Sequence, residues 1–156
     1  MARKTKTVTI STEGRDQGKA FYITEMSAFA AEKWATRAIS AMARSGVDMP
    51  EEVLDAGMAG ILVLGAKAIL SVDFMEAEPL LEEMMACVQL IPDPSKPEVM
   101  RRVHEDDIEE VSTLVFLRNE VLEIHLGFSI AAALSKLGAA AKQAPNSNGT
   151  LTSPEQ

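Results

Sequence analysis

Aromatic residues are scarce in this 156-residue chain, with five Phe, one Tyr and one Trp making up 4%. A β-sandwich leans on aromatic and β-branched side chains, so the scarcity counts against one. Ala, Leu, Ile, Val and nine Met are left to fill the core, a mixture that favours helices. Cysteine is all but missing. A lone Cys87 excludes an intramolecular disulfide and fits a reducing compartment. No long apolar run exists. The richest stretch, Ala56–Val72, is broken by Lys67 and falls short of the roughly 20 residues a bilayer span needs. A buried core helix is the expectation there, with no membrane partner. The N-terminal MARKTKTVTIST has basic residues without an apolar h-region and does not read as a secretory signal.

What is present is acid, unevenly spread. The formal net charge is −8. Residues 1–19 carry five Lys/Arg against Glu13 and Asp16, whereas residues 20–128 carry eight Lys/Arg against twenty Asp/Glu. A body this acidic repels phosphate backbones, so nucleic acid is not an expected partner. Hydrophobic residues at 47% rule out a disordered acidic tail, and the length suits one domain.

The patterning predicts an α+β, mainly α fold. It comprises a four-helix core, a small N-terminal β-hairpin, a second short hairpin and a disordered C-terminal tail. Residues 1–6 read as a flexible basic N-terminus, 7–128 as one domain and 129–156 as a flexible tail. Thr7–Ser11 alternates apolar and polar residues, Ala20–Thr24 does so less cleanly, and a Gly- and Asp-rich turn lies between them, which predicts the first hairpin. From Ser27 the period becomes helical, with Ala30, Trp34, Ala38, Ala41 and Met42 on one face and Gly46 as the stop. A second, central helix is expected from Asp48 to about Leu70. A third is expected over Phe74–Cys87, capped by Asp73 and either kinked at Pro79 or starting there. Val88–Ile91 and Val99–Val103 flank three prolines and can pair as the second hairpin. The fourth helix is expected from about Glu105 to Gly127. Its acidic first turns suit a helix N-terminus, and Ile108, Val111, Val115, Leu122 and Ile124 form its apolar side.

Candidate chemistry is thin. Gly14-Arg15-Asp16-Gln17-Gly18-Lys19 has three residues between its glycines where a phosphate loop needs four, and Ala20 stands where that loop needs Ser or Thr. It reads as a hairpin turn. His104 and His125 lie far apart on one predicted helix, about 30 Å at 1.5 Å per residue, so no metal site is expected. Cys87 sits beside Glu82 and Glu83, the wrong setting for a reactive thiolate. No catalytic residue and no cofactor emerge, and the expectation is a binding protein. Methionines are plentiful, and such side chains suit surfaces that repack around varied apolar partners. Trp34, Met42, Met84 and Met85 are the candidate lining of a partner groove.

Several blocks together carry a resemblance. Glu13–Lys19 followed by Phe21–Met26 and Ala31–Ala35, then Glu76–Met85, then Glu105–Val111, resemble the tail assembly chaperones of tailed bacteriophages and prophages. The resemblance spans roughly residues 7–128, with Ser27 where that pattern has Pro. It implies a protein of the host bacterial cytoplasm that binds the tape-measure protein and helps recruit tail-tube subunits. It implies that this protein keeps the long apolar tape measure soluble and is absent from the finished virion. Self-association as a homo-oligomer stays open. The rival reading is a structural tail component, an adaptor or decoration protein.

Overall fold

A computed structural model describes residues 2–48, 51 and 71–126. Four strands form one antiparallel sheet in the order β1-β2-β3-β4: β1 (Thr5–Thr9), β2 (Ala20–Thr24), β3 (Val88–Ile91) and β4 (Arg101–Arg102). Three α-helices accompany it among the described residues: α1 (Ala28–Arg44), α2 (Phe74–Met85) and α3 (Val111–Leu126). The α+β class stands. The two expected hairpins are, however, halves of a single sheet, because β2 pairs with β3 from Ala20↔Ile91 to Ile23↔Val88. Of the four expected helices, the central one from Asp48 to Leu70 lies almost wholly outside the described residues, as does the tail at 129–156.

The local chemistry accounts for each element. In the first hairpin Gly18 takes φ +85°, a left-handed conformation that costs glycine little, and its N–H donates to the Ile10 carbonyl at 2.8 Å. β1 starts at Thr5, not Thr7, so it extends into the segment 1–6 expected to be flexible. Glu25 holds it there: the Lys4 N–H donates to Glu25 Oε1 at 2.9 Å and the Glu25 N–H to the Lys4 carbonyl at 3.0 Å.

Ser27 caps α1 by accepting from the Ala30 N–H, and Gly46 at φ +73° closes it. The α1 face seen in the sequence is largely real. Trp34, Ala38, Ala41 and Met42 are buried, while Ala30 is exposed. Asp73 caps α2 through the Met75 N–H at 2.9 Å. α2 passes unbroken through Pro79. Proline removes the donor that would meet the Met75 carbonyl. Met75 and Pro79 both lie on the exposed side, where water can take that carbonyl.

One face of the sheet carries Val8, Phe21, Ile23, Val88 and Leu90, and these pack with Trp34, Met42, Leu80, Met84, Leu117 and Val121 into one core. Ion pairs fasten the helices outside it: Arg37 to Glu83 and Arg44 to Glu76 join α1 to α2. Lys6 of β1 pairs with Glu120 of α3.

α3 departs most from expectation. It begins at Val111, not Glu105. Glu105–Asp107 form a single 3-10 turn, and Ile108 is extended. Its buried residues include Thr113, Leu117, Val121, Leu122 and Ile124, so Val111 and Val115 lie exposed instead of on the packed side. Arg118 Nε is buried with no hydrogen-bond partner, and burial lowers the guanidinium's affinity for its proton. An unsatisfied buried donor is a cost without a return. Arg118→Met keeps the aliphatic bulk and removes that donor, so urea denaturation should show the variant as stable as the parent or up to about 1 kcal/mol more stable.

Candidate functional site

Among the described residues, a concave surface lies where the C-terminal end of α2, β4 with the 3-10 turn, and the first turns of α3 meet. It is a groove of about 610 Å³. Its apolar residues are Met85, Val103, Ile108 and Leu114; Glu82, Arg102, His104 and Glu105 supply polar groups around them. Helical geometry places Val111 beside Leu114 at the groove's edge, and Val115 beside Val111 one turn further along α3. The two valines are 76% and 41% exposed, so an apolar strip outside the groove runs along the helix into solvent. A charged rim around an apolar strip matches the two faces of an amphipathic helix.

Two locks set the groove's shape. In the first, Asp107 ties the 3-10 turn to β4. Arg101 reaches both of its carboxylate oxygens at 2.7 Å, and Oδ2 also accepts the His104 N–H at 2.7 Å. The Arg101 guanidinium, helped by that amide, brings the Asp107 pKa down to about 2.

The second lock comes from the first hairpin's turn. Asp16 is 0% exposed. Its carboxylate accepts the Glu109 N–H at 3.0 and 3.2 Å and the Glu110 N–H at 2.9 Å. It therefore serves the free amides just before α3 as a cap delivered from the other end of the chain. Lys19 lies 2.7 Å from Asp16 Oδ1 and also donates to the Asp107 carbonyl at 3.0 Å. Arg15 donates to Glu110 Oε1 at 2.9 Å and to the Glu109 carbonyl at 2.7 Å. Burial by itself would raise the Asp16 pKa. Lys19, the two amides and the Thr113 side chain outweigh it and hold the carboxyl far below the usual range.

These locks explain the late start of α3: the Asp107, Glu109 and Glu110 carboxylates are engaged by Arg101, Lys19 and Arg15, and the Glu109 and Glu110 amides by Asp16.

The four residues proposed from sequence do not come together in this groove. Trp34, Met42 and Met84 are each 1% exposed and belong to the core. The Trp34 Nε1–H donates to the Leu80 carbonyl at 3.0 Å, which fixes α1 against α2. Their helical periodicity was a core signature. A partner cannot reach them while the domain is folded. Only Met85, half-buried, borders the groove. Val103, Ile108 and Leu114 were missed as lining. Ile108 and Val111 did carry a signal, since both lie in an acidic stretch with no reason of its own to be apolar.

Other reactive groups are occupied. His125 Nε2 accepts the Met26 N–H at 2.8 Å and Nδ1 lies 2.6 Å from the Val121 carbonyl, which assigns the ring proton to Nδ1 and leaves neither nitrogen for a ligand. Cys87 is half-buried, and desolvation, with Glu83 adding to it, pushes its thiol up to about 11 against the opposing pull of Arg3. The thiolate, the nucleophilic form, is thereby suppressed. Among the described residues no group of three or more His, Cys, Asp or Glu is arranged to hold a metal ion. No helix among them is long and apolar enough to cross a membrane.

Compared with protein-family models, with curated proteins and with solved structures, the chain matches none.

Proposed function

We propose that the protein is a non-enzymatic chaperone of phage or prophage tail assembly. It holds apolar helical segments of the tape-measure protein in solution in the host bacterial cytoplasm while tail-tube subunits arrive, and it is not retained in the virion. The observation that supports this best is the groove around Met85, continued by the exposed Val111 and Val115 on an otherwise acidic protein. An amphipathic helix can lay its apolar side on that strip without a strict sequence requirement. The net charge of −8 keeps such a complex soluble through like-charge repulsion. The sequence blocks that resemble the tail assembly chaperones lie on the elements that build the groove: the Glu76–Met85 block is α2, and the Glu105–Val111 block forms the wall and the start of α3.

Co-expression with the adjacent tape-measure protein tests the reading. The partner should become soluble and co-purify. Recovery of this chain in stoichiometric amounts from mature virions would instead establish the adaptor or decoration role.

The groove itself is tested by Met85→Lys together with Val111→Lys. Both sites reach solvent, so the melting temperature should fall by no more than a few degrees. Affinity for a tape-measure helix should drop about tenfold or more, because a charge meets the partner's apolar face. Unchanged affinity by isothermal titration would remove this groove from the proposal.

A further inference from the structure

The sheet has two free edges, and they are built differently. β4 is only two residues long, follows a connection containing Pro92, Pro94 and Pro97, and presents Arg101 and Arg102. These are the usual guards against strand addition. β1 has only one of them, Lys6, and its ammonium is already paired with Glu120. The strand is five residues of strand-favouring sequence with no proline, and β2 pairs with it on one side only. Across that pair the Glu25 N–H donates to the Lys4 carbonyl and the Ile10 N–H to the Lys19 carbonyl at 2.9 Å. The even-numbered residues therefore carry the ladder to β2. The odd-numbered Thr5, Thr7 and Thr9 turn their amides and carbonyls outward. All three residues are exposed, and among the described residues none supplies a backbone partner on that side.

From this edge we infer that two copies of the chain pair through β1, antiparallel, with Thr7 on the twofold axis. The occupant is a second copy because Thr5-Lys6-Thr7-Val8-Thr9 is nearly palindromic about Thr7. In that register Thr7 faces Thr7 and Thr5 faces Thr9 of the second copy, which stacks threonines on the open face of the sheet. On the helix-bearing face Lys6 lies against Val8 of the second copy, and Lys4 against its Ile10. No like charges stand directly opposite, and threonine pairs and aliphatic stems over valine are favourable cross-strand neighbours. The Lys6 ammonium is already neutralised by Glu120, with Glu123 at 3.9 Å. The product is one continuous eight-stranded sheet whose two remaining edges are the guarded β4 strands. Five residues of strand bury little area, so the dimer forms and dissociates with concentration. This inference is independent of the groove and of the tape-measure reading.

Sedimentation equilibrium on the full chain, with amide hydrogen exchange over the same concentrations, tests the pairing. The average mass should climb toward twice that of the monomer. The amides of Thr5, Thr7 and Thr9 should gain protection in step with it. Thr7→Lys sets two ammonium groups opposite each other on the axis, and Thr7→Pro removes an outward amide that β2 does not use. Each should weaken dimerisation about tenfold or more while circular dichroism stays unchanged. A chain that remains monomeric with those three amides unprotected would overturn the inference. A dimer in which they exchange freely would do the same, because it uses another surface. The exchange measurement on the parent chain decides the question even if a variant fails to fold.

Discussion

Trp34→Ala should destabilise the domain by about 3–5 kcal/mol, the range for removing a large buried aromatic side chain. Total stabilities of small domains are about 5–15 kcal/mol, so this one change removes a large share of what holds the chain folded. Three losses combine. The indole is 1% exposed and packs α1 against α2, so its removal forfeits apolar burial and leaves a cavity. Its Nε1–H also donates to the Leu80 carbonyl. Trp34→Phe separates the parts: it keeps most of the packing, drops the hydrogen bond and leaves a smaller void, for about 1–2 kcal/mol. Urea denaturation followed by circular dichroism measures both, since the variants lose the chain's sole tryptophan as a fluorophore. The result also bears on the proposed binding of a tape-measure helix. If Trp34→Phe retains full affinity for a tape-measure helix, the indole acts through the fold, as its burial requires. If affinity collapses while stability is kept, the core assignment of Trp34 is wrong.

Much of the fold is visible in the residue pattern, and the reasons are local. β2 shows in its partial alternation beside a Gly- and Asp-rich turn, and α1 in its Ser27 cap, its Trp34-Ala38-Ala41-Met42 stripe and Gly46; each acts within a few residues of chain. The misreadings share the opposite property. That β2 and β3 are neighbours in one sheet depends on a pairing between Ile23 and Val88, which no short window contains. Glu105–Glu110 is a good helix opening in isolation, yet Asp107, Glu109 and Glu110 answer to Arg101, Arg15, Lys19 and Asp16, three of which lie some ninety residues away. The stripe that marks Trp34 and Met42 as apolar is correct about chemistry and silent about whether a core or a partner covers it. Burial is decided by the packing element, and a core and a docking surface for apolar chains are made of the same residue types. Met85 and Leu114 differ from Met84 and Leu117 only in which way the helix turns them.

The buried carboxylate in the hairpin turn gives the second large effect. Asp16→Ala should cost about 3–4 kcal/mol, because it strands the Glu109 and Glu110 amides and leaves Lys19 without its closest partner. A melting temperature lower by about 6–16 °C is the corresponding reading for a chain of this size. Asp16→Asn preserves the shape and one acceptor oxygen but turns an NH₂ group toward donors, so it should fall between the parent and the alanine variant. The damage should be local before it is global, with faster amide exchange at the start of α3 while β2 and β3 stay protected. Acid must act in the same direction. The folded-state pKa of Asp16 lies below its unfolded value, as does that of Asp107 at about 2. Each carboxylate therefore contributes its full stabilisation above about pH 4, and that contribution drains away as the pH falls through the folded-state value. The urea midpoint of the parent should be flat through neutral pH and decline below about pH 4. Asp16→Asn should start lower and decline less steeply, since one of the groups that bind protons on unfolding is gone. Parallel declines for the two proteins would mean that the Asp16 charge does nothing for the native state, and the long-range cap on α3 would have to be abandoned.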